Sequence, residues 1–96
     1  MLDILQKLGL PVKEAAVYLA ALELGVASPV STVAKKAHIN RTTTYDVLDQ
    51  LVEKGLVVAY THKANRYYEA LPPSKLRAYL KEQQEKYGKL VQEAEK

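Results

Sequence analysis

The chain lacks cysteine, which excludes disulfide bonds, thiolate metal ligands and cysteine nucleophiles. It also lacks any apolar run near the roughly 20 residues that a helix needs to cross a bilayer. Asp3 and Lys7 interrupt the apolar pattern of the N-terminal segment, unlike a secretory signal peptide. Paired histidine and carboxylate motifs and glycine-rich phosphate loops are missing. We therefore expect a cytoplasmic protein that is not an enzyme and has no cofactor, no metal site and no membrane partner.

The composition is typical of one globular domain. The chain has 96 residues, of which 48% are hydrophobic and 26% charged, a balance that indicates a soluble fold rather than a disordered or membrane protein. The net charge is +3: residues 1–39 contribute +1, residues 40–72 carry no net charge, and residues 73–96 contribute +2. Any binding to nucleic acid would have to come from a local arrangement of basic groups.

Helical periodicity dominates the first half of the chain. It predicts a segment from Leu2 to Leu8 ended by Gly9, and then helices over about 12–24, 29–37 and 41–54. Gly25 and Gly55 are the expected C-terminal caps. Ser28 with Pro29 and, further along, Asn40 are the expected N-terminal signals of the third and fourth helices. The second helix is expected to bury one stripe, formed by Ala15, Ala16, Leu19 and Leu22, with Tyr18 as a further candidate.

The helical periodicity ends at Gly55. Residues 56–61 are rich in β-branched and aromatic side chains, and residues 66–71 form a second such run. The polar segment 62–65 between them predicts a hairpin with a four-residue turn, which Pro72-Pro73 would end because proline cannot continue a strand ladder.

A long amphipathic helix is predicted over the last segment, Ser74 to Lys96. One face of it follows a heptad spacing at Leu76, Leu80, Gln83, Tyr87, Leu90 and Ala94, with Gln83 as its polar member. We expect this seam to pair with a symmetric copy of the chain as a coiled coil, and folding back on the first helix is the alternative. The expected organisation is a domain over 1–73 and a dimerisation helix over 74–96.

This order of elements predicts a mainly α fold with a small β-hairpin. A short helix joined by a tight turn to a longer helix is a helix-turn-helix, and the hairpin after it is a wing. The second helix of such a unit enters the major groove of DNA while the hairpin lies beside it. The candidate DNA contacts are Lys35, Lys36, Arg41, Thr42, Thr43, Tyr45, Asp46, Gln50, His62, Lys63 and Arg66.

These residues also permit plainer interpretations. Tyr45 could contact a phosphate or could lie partly in the core. Asp46 can accept a hydrogen bond from cytosine, but its carboxylate also repels phosphates. Lys35 and Lys36 could form an ordinary solvated helix face. His62 and His38 have no second histidine or carboxylate at a metal-binding spacing.

Three segments carry a resemblance to a known family. Residues 8–22, LGLPVKEAAVYLAAL, resemble the opening of the TrmB family of transcriptional regulators, and the similarity continues through VAKKA at 33–37 and YDVLDQLVEKGLV at 45–57. The resemblance covers about residues 4–73 and implies DNA binding through the helix at 41–54. Two departures are His38, where the family usually has glycine, and Asn40, which replaces a frequent proline.

Long members of that family carry a sugar-binding effector domain after the first domain, and no such small-molecule effector site is evident here. The sequence therefore predicts a homodimeric, sequence-specific regulator that binds double-stranded DNA and associates with the nucleoid. The alternative is a winged-helix module that binds another protein, since a fold alone does not determine function.

Overall fold

A computed structural model describes all 96 residues. Four helices come first: α1 (Leu2–Lys7), α2 (Val12–Leu24), α3 (Val30–Ala37) and α4 (Arg41–Glu53). An antiparallel hairpin of β1 (Val57–His62) and β2 (Asn65–Ala70) follows, and after a 3-10 turn at Pro73–Lys75 the chain ends in α5 (Leu76–Ala94). The predicted winged helix-turn-helix with a long C-terminal helix is thus confirmed. None of the helices is both long and apolar enough to cross a membrane.

Two of the predicted helix caps have the expected geometry. Gly25 ends α2 in the left-handed conformation, with φ of 69°, where a residue without Cβ avoids the steric penalty. The Asn40 side chain accepts a hydrogen bond from the backbone N–H of Thr43 over 2.8 Å at the start of α4. This bond satisfies one of the helix N–H groups that have no partner within the helix.

The prediction for Ser28 was wrong. Pro29, not Ser28, occupies the N-cap of α3, and no side chain caps that helix. Ser28 is buried and instead pairs through its backbone with Tyr68 of β2, with both N–H to oxygen distances at 2.8 Å. This isolated bridge lies beside the two-stranded sheet and fixes the base of the wing to the connection between α2 and α3.

The turn between the two helices of the motif accommodates His38 without glycine. His38 ends α3 with φ of 58° and ψ of 40°, a left-handed conformation in which histidine is one of the better tolerated residues. Its N–H and that of Ile39 bond back to Lys35 and Ala34. The tight turn that leads into α4 is therefore kept.

The hairpin turn is shorter than the sequence suggested. His62 pairs with Asn65, so only Lys63 and Ala64 form the turn, and both have positive φ, 51° and 65°. Two consecutive left-handed residues are the signature of a type I′ turn, whose twist matches that of the strands. The expectation of a four-residue turn was wrong because Lys63-Ala64 lacks the Asn-Gly signal of such turns.

The core lies around α2, which contacts α1, α3, α4 and β2. Its largest fully buried side chains include Tyr18, Leu48, Leu51, Leu56 and Tyr68, and burying a leucine contributes about 1.5 to 3 kcal/mol. The Tyr18 hydroxyl donates to the carbonyl of Leu71 over 2.8 Å. Burial raises the pKa of Tyr18, so this hydroxyl remains a hydrogen-bond donor.

The two halves of α5 lie in different surroundings. Leu76 and Tyr79 are buried in the core of their own chain, and Leu80 packs partly against it. Gln83 is half-buried, whereas Tyr87 and Leu90 are more than half exposed, as is Val91. Of the predicted seam, Leu76 therefore already has intrachain partners, while the outer positions have an open face.

Candidate nucleic-acid interface

One surface of the molecule is formed by the start of α4, the end of α3 and the tip of the hairpin. Arg41 and Thr42 are exposed in the first turn of α4, and Thr43, whose N–H donates to the Asn40 side chain, is half-buried. Next along the helix, Tyr45 is 41% exposed. This end of α4 projects uncharged hydroxyls and one guanidinium, which suits close approach to base edges and phosphates.

Arg41 is the residue that connects the parts of this surface. It borders a cleft of about 450 Å³ between the starts of α3 and α4 and the wing, together with Tyr45, Arg66 and Tyr67. It also borders a hollow next to Lys35 and His38. A third depression brings it together with Thr42 and Asp46. The structure thus brings Arg41, Tyr45 and Arg66 to one cleft.

Other predicted contacts lie exposed but outside these depressions. Lys36 is on the last turn of α3, Gln50 on the outer face of α4, and His62 and Lys63 at the tip of the wing. All four are free of intrachain hydrogen bonds or ion pairs through their side chains. Their side chains can therefore be used in binding without breaking a contact within the chain.

Sequence reasoning missed the role of Asp49. Its carboxylate accepts a hydrogen bond from the Tyr68 hydroxyl over 3.2 Å and lies 3.8 Å from the guanidinium of Arg66. The same guanidinium lies 5.4 Å from the centroid of the Tyr68 ring. Asp49 follows Tyr45 by one helical turn on the wing side of α4, and the wing had to be placed before this contact could be seen.

The hydroxyl of Tyr68 is held in its protonated form. Burial and the negative charge of Asp49 raise the pKa of Tyr68 to about 12, while Arg66 opposes the shift. At neutral pH the hydroxyl is therefore a donor to Asp49. This contact joins the wing to α4.

The side chains of this surface are suited to hydrogen bonding and charge interactions. No group of three or more histidine, aspartate or glutamate side chains could hold a metal ion. The chemistry available is hydrogen bonding and charge: guanidinium and ammonium groups for phosphates, and hydroxyl and amide groups for bases.

A family model described as the sugar-specific transcriptional regulator TrmB matches residues 5–74. Among solved structures, TrmBL2, an archaeal chromatin protein whose structure shows a novel mode of DNA binding, superposes on 99% of this chain with a TM-score of 0.80 and 25% sequence identity. The chain spans 36% of the length of TrmBL2. No curated protein matches the chain.

More distant likenesses show the fold alone. A protein from the thermoacidophilic archaeon Sulfolobus tokodaii, ST1889, is 22% identical with a TM-score of 0.67, over 88% of this chain and 86% of that one. Sso10a-2, a DNA-binding protein from Sulfolobus solfataricus, is 23% identical with a TM-score of 0.56, over 90% of each chain. A possible transcriptional regulator from Methanosarcina mazei is 16% identical with a TM-score of 0.72, over 97% of this chain and 84% of that one.

Proposed function

Because the chain belongs to the TrmB family of transcriptional regulators, a family of DNA-binding rather than catalytic proteins, we propose that it binds specific sequences of double-stranded DNA as a homodimer. In this role it regulates transcription and associates with the nucleoid. The observation that carries the proposal is the exposed start of α4, with Arg41 at the centre of a surface that also includes the wing.

The proposed mechanism divides the contacts by chemistry. Thr42, Thr43 and Gln50 supply hydrogen bonds to base edges in the major groove. Lys35, Lys36, Lys63 and Arg66 contact phosphates and supply most of the affinity, which falls as salt rises because bound cations are released from DNA. Arg41 contacts either a base or a phosphate. Tyr45 and His62 make weaker contacts with the DNA backbone.

Asp46 has a different place in this mechanism. It is exposed and free of an ion pair, and it lies beside Arg41 and Thr42. Its charge lowers the affinity for phosphates in general, and it contributes to specificity only by accepting a hydrogen bond from cytosine.

The exposed half of α5 supports the homodimer. Helix α5 has 19 residues and is about 28 Å long; only its first turns contribute to the core. Tyr87, Leu90 and Val91 present an apolar face that nothing in the chain covers. Pairing of this face with the same face of a second copy, through Leu80, Gln83, Tyr87, Leu90 and Ala94, would place two copies of α4 on successive turns of DNA, about 34 Å apart.

The proposal is tested by selecting bound fragments from a random library of DNA duplexes at low and high salt, with the mass of the eluted complex measured. We expect a palindromic site bound by two chains, with an affinity that falls as salt rises. Retention that is weak and independent of sequence would contradict specific binding. A complex with one chain per site would contradict the dimer.

Matched variants test DNA contact and dimerisation separately. Arg41→Ala should weaken binding by about 1 to 3 kcal/mol if Arg41 contacts a base, whereas Arg77→Ala, an exposed arginine on α5, should not. Leu90→Asp should convert the dimer to a monomer without unfolding it, because Leu90 is 54% exposed. Val26→Asp, at an apolar residue that is 62% exposed outside α5, is the control that should stay dimeric.

One observation favours a second candidate function. Residues 40–72, which include α4 and the wing, carry no net charge, and such a surface can also bind another protein. The same selection distinguishes the two functions, because a protein-binding module would show no salt-dependent affinity for DNA.

A further inference from the structure

The outer part of the wing has few connections to the rest of the domain. The base of β2 is fixed by the backbone pairing of Tyr68 with Ser28. Between residues 58 and 67, by contrast, the pair of Arg66 with Asp49 is the only hydrogen bond or ion pair that leads outside the hairpin. This contact is therefore the polar link between the outer part of the wing and α4.

Asp49 binds the wing at two points on one face of β2. Tyr68 and Arg66 are two positions apart on the same strand, so their side chains lie on the same side of the hairpin. Tyr68 is fully buried and donates its hydroxyl to Asp49, and Arg66 lies above the Tyr68 ring at 5.4 Å and 3.8 Å from the same carboxylate oxygen. The three groups form a single cluster between α4 and the wing.

The charge of Asp49 and its contacts with the wing have opposite effects on DNA binding. A carboxylate beside the cleft of Arg41 and Arg66 repels phosphates, so its electrostatic effect on DNA binding is unfavourable. Its mechanical effect is favourable, because a wing whose tip is held in place does not have to be ordered when DNA binds.

We infer that Asp49 is a positioning residue for DNA binding, which holds Arg66 and the wing beside α4 through the cluster with Tyr68. The inference rests on the proposed function, and it assigns to Asp49 an effect on affinity opposite to that of its charge. Asp46, one turn earlier on the same helix, has the same charge and no partner. It provides a matched control.

The experiment compares Asp49→Ala with Asp46→Ala for affinity to a DNA duplex of random sequence, on which Asp46 has no fixed cytosine partner and acts only through its charge, over a range of salt concentrations. Asp46→Ala should strengthen binding roughly two- to fivefold at low salt, because a repulsive charge is removed. Asp49→Ala removes the same charge but should weaken binding about tenfold. Its plot of log affinity against log salt should become less steep by about one, since the phosphate contact of Arg66 is lost.

A third variant separates positioning from charge. Tyr68→Phe keeps every charge and removes only the hydroxyl that holds Asp49, and it should weaken binding in the same direction by a smaller factor. Urea unfolding of each variant gives the folded fraction, by which the affinities are corrected. If Asp49→Ala strengthens binding as Asp46→Ala does, the inference is wrong.

The proposed function and this inference fail in different ways. Absence of DNA binding by the unsubstituted protein would contradict the proposed function. The positioning of the wing is then still measured without DNA, by residual dipolar couplings of the amides of β1 and β2. Couplings that change in Asp49→Ala and not in Asp46→Ala support the inference, and couplings that are equal in the two variants overturn it.

Discussion

The ammonium group of Lys54 forms an ion pair with the carboxylate of Glu14, although the two residues are 40 positions apart in the sequence. The Glu14 side chain is 9% exposed and that of Lys54 27%. The same ammonium group lies 5.9 Å from the centre of the Tyr79 ring. Lys54 thus joins the start of α2, the end of α4 and the first turns of α5.

Substitution of Glu14 should show how much this ion pair contributes to stability. Glu14→Gln leaves the Lys54 ammonium group without a carboxylate in a mostly buried position, and we expect the free energy of unfolding to fall by about 2 kcal/mol. Urea denaturation measures it. Glu23→Gln, at an exposed position of the same helix, should change stability by less than about 0.5 kcal/mol. Equal effects of the two substitutions would mean that the pair contributes nothing.

The raised pKa of Tyr68 predicts a loss of stability at high pH. The unfolded chain releases the Tyr68 proton near pH 10.0 and the folded chain near 12, so the contribution of this residue is complete below pH 10 and is lost as the pH rises towards 12. The loss amounts to about 2 to 3 kcal/mol.

This pH dependence is measured by urea denaturation of the unsubstituted protein and of Tyr68→Phe across that pH range. The Phe variant should lose less stability, because it has no proton to release. Tyr87→Phe, at a tyrosine that is 58% exposed, should behave like the unsubstituted protein. If stability falls equally with pH in all three proteins, the loss does not come from ionisation of Tyr68.

Glycine in the wing turn should stabilise the protein. Ala64 has φ of 65°, which costs an L-residue about 1 to 2 kcal/mol. Ala64→Gly removes this strain at the expense of a smaller entropic term, so the thermal midpoint should rise. The same substitution at Ala78, which is exposed in α5, should lower stability by about 1 kcal/mol. A lower thermal midpoint in both variants would mean that the backbone at Ala64 is not strained.

The cap of α4 should affect both stability and binding. Asn40→Ala removes the acceptor for the Thr43 N–H and should cost about 1 kcal/mol, with weaker DNA binding because the first turn of α4 frays where Arg41 and Thr42 lie. Asn40→Asp keeps the acceptor and should restore the stability measured by thermal unfolding. If Asn40→Asp is as unstable as Asn40→Ala, the stability does not come from capping by the side chain.

Most of the fold could be predicted from the periodicity of apolar residues. The ends of α2 and α4 fall within one residue of the expected positions because Gly25, Asn40 and Gly55 are strong local signals. The pairing of Ser28 could not be predicted, since a strand segment of one residue has no period. The stripe expected on α2 was largely misplaced, because several elements pack around this helix. Ala15 and Tyr18 are buried as expected, Ala16, Leu19 and Leu22 are only half-buried, and the remaining buried positions are Glu14, Val17, Ala20 and Ala21.

The candidate interface was only partly predictable, because some of its contacts depend on how elements distant in the sequence pack together. The positions of Arg41 and Thr42 follow from the helix-turn-helix order alone. The contacts of Asp49 depend on where the wing lies relative to α4, and the ion pair of Glu14 depends on the packing of α2 against the end of α4. Neither distance can be obtained from spacing along the chain. Charged residues such as these look like ordinary surface positions in the sequence.

The pairing of Ser28 with Tyr68 also has a consequence for the order of folding. A hairpin with a two-residue turn closes within microseconds, and helices form faster still, but a contact between residues so far apart has to wait for a large loop to close. During synthesis, the backbone groups of Ser28 have no native partner until residue 68 has left the ribosome. The helix-turn-helix therefore acquires its final anchorage only after the wing has been made.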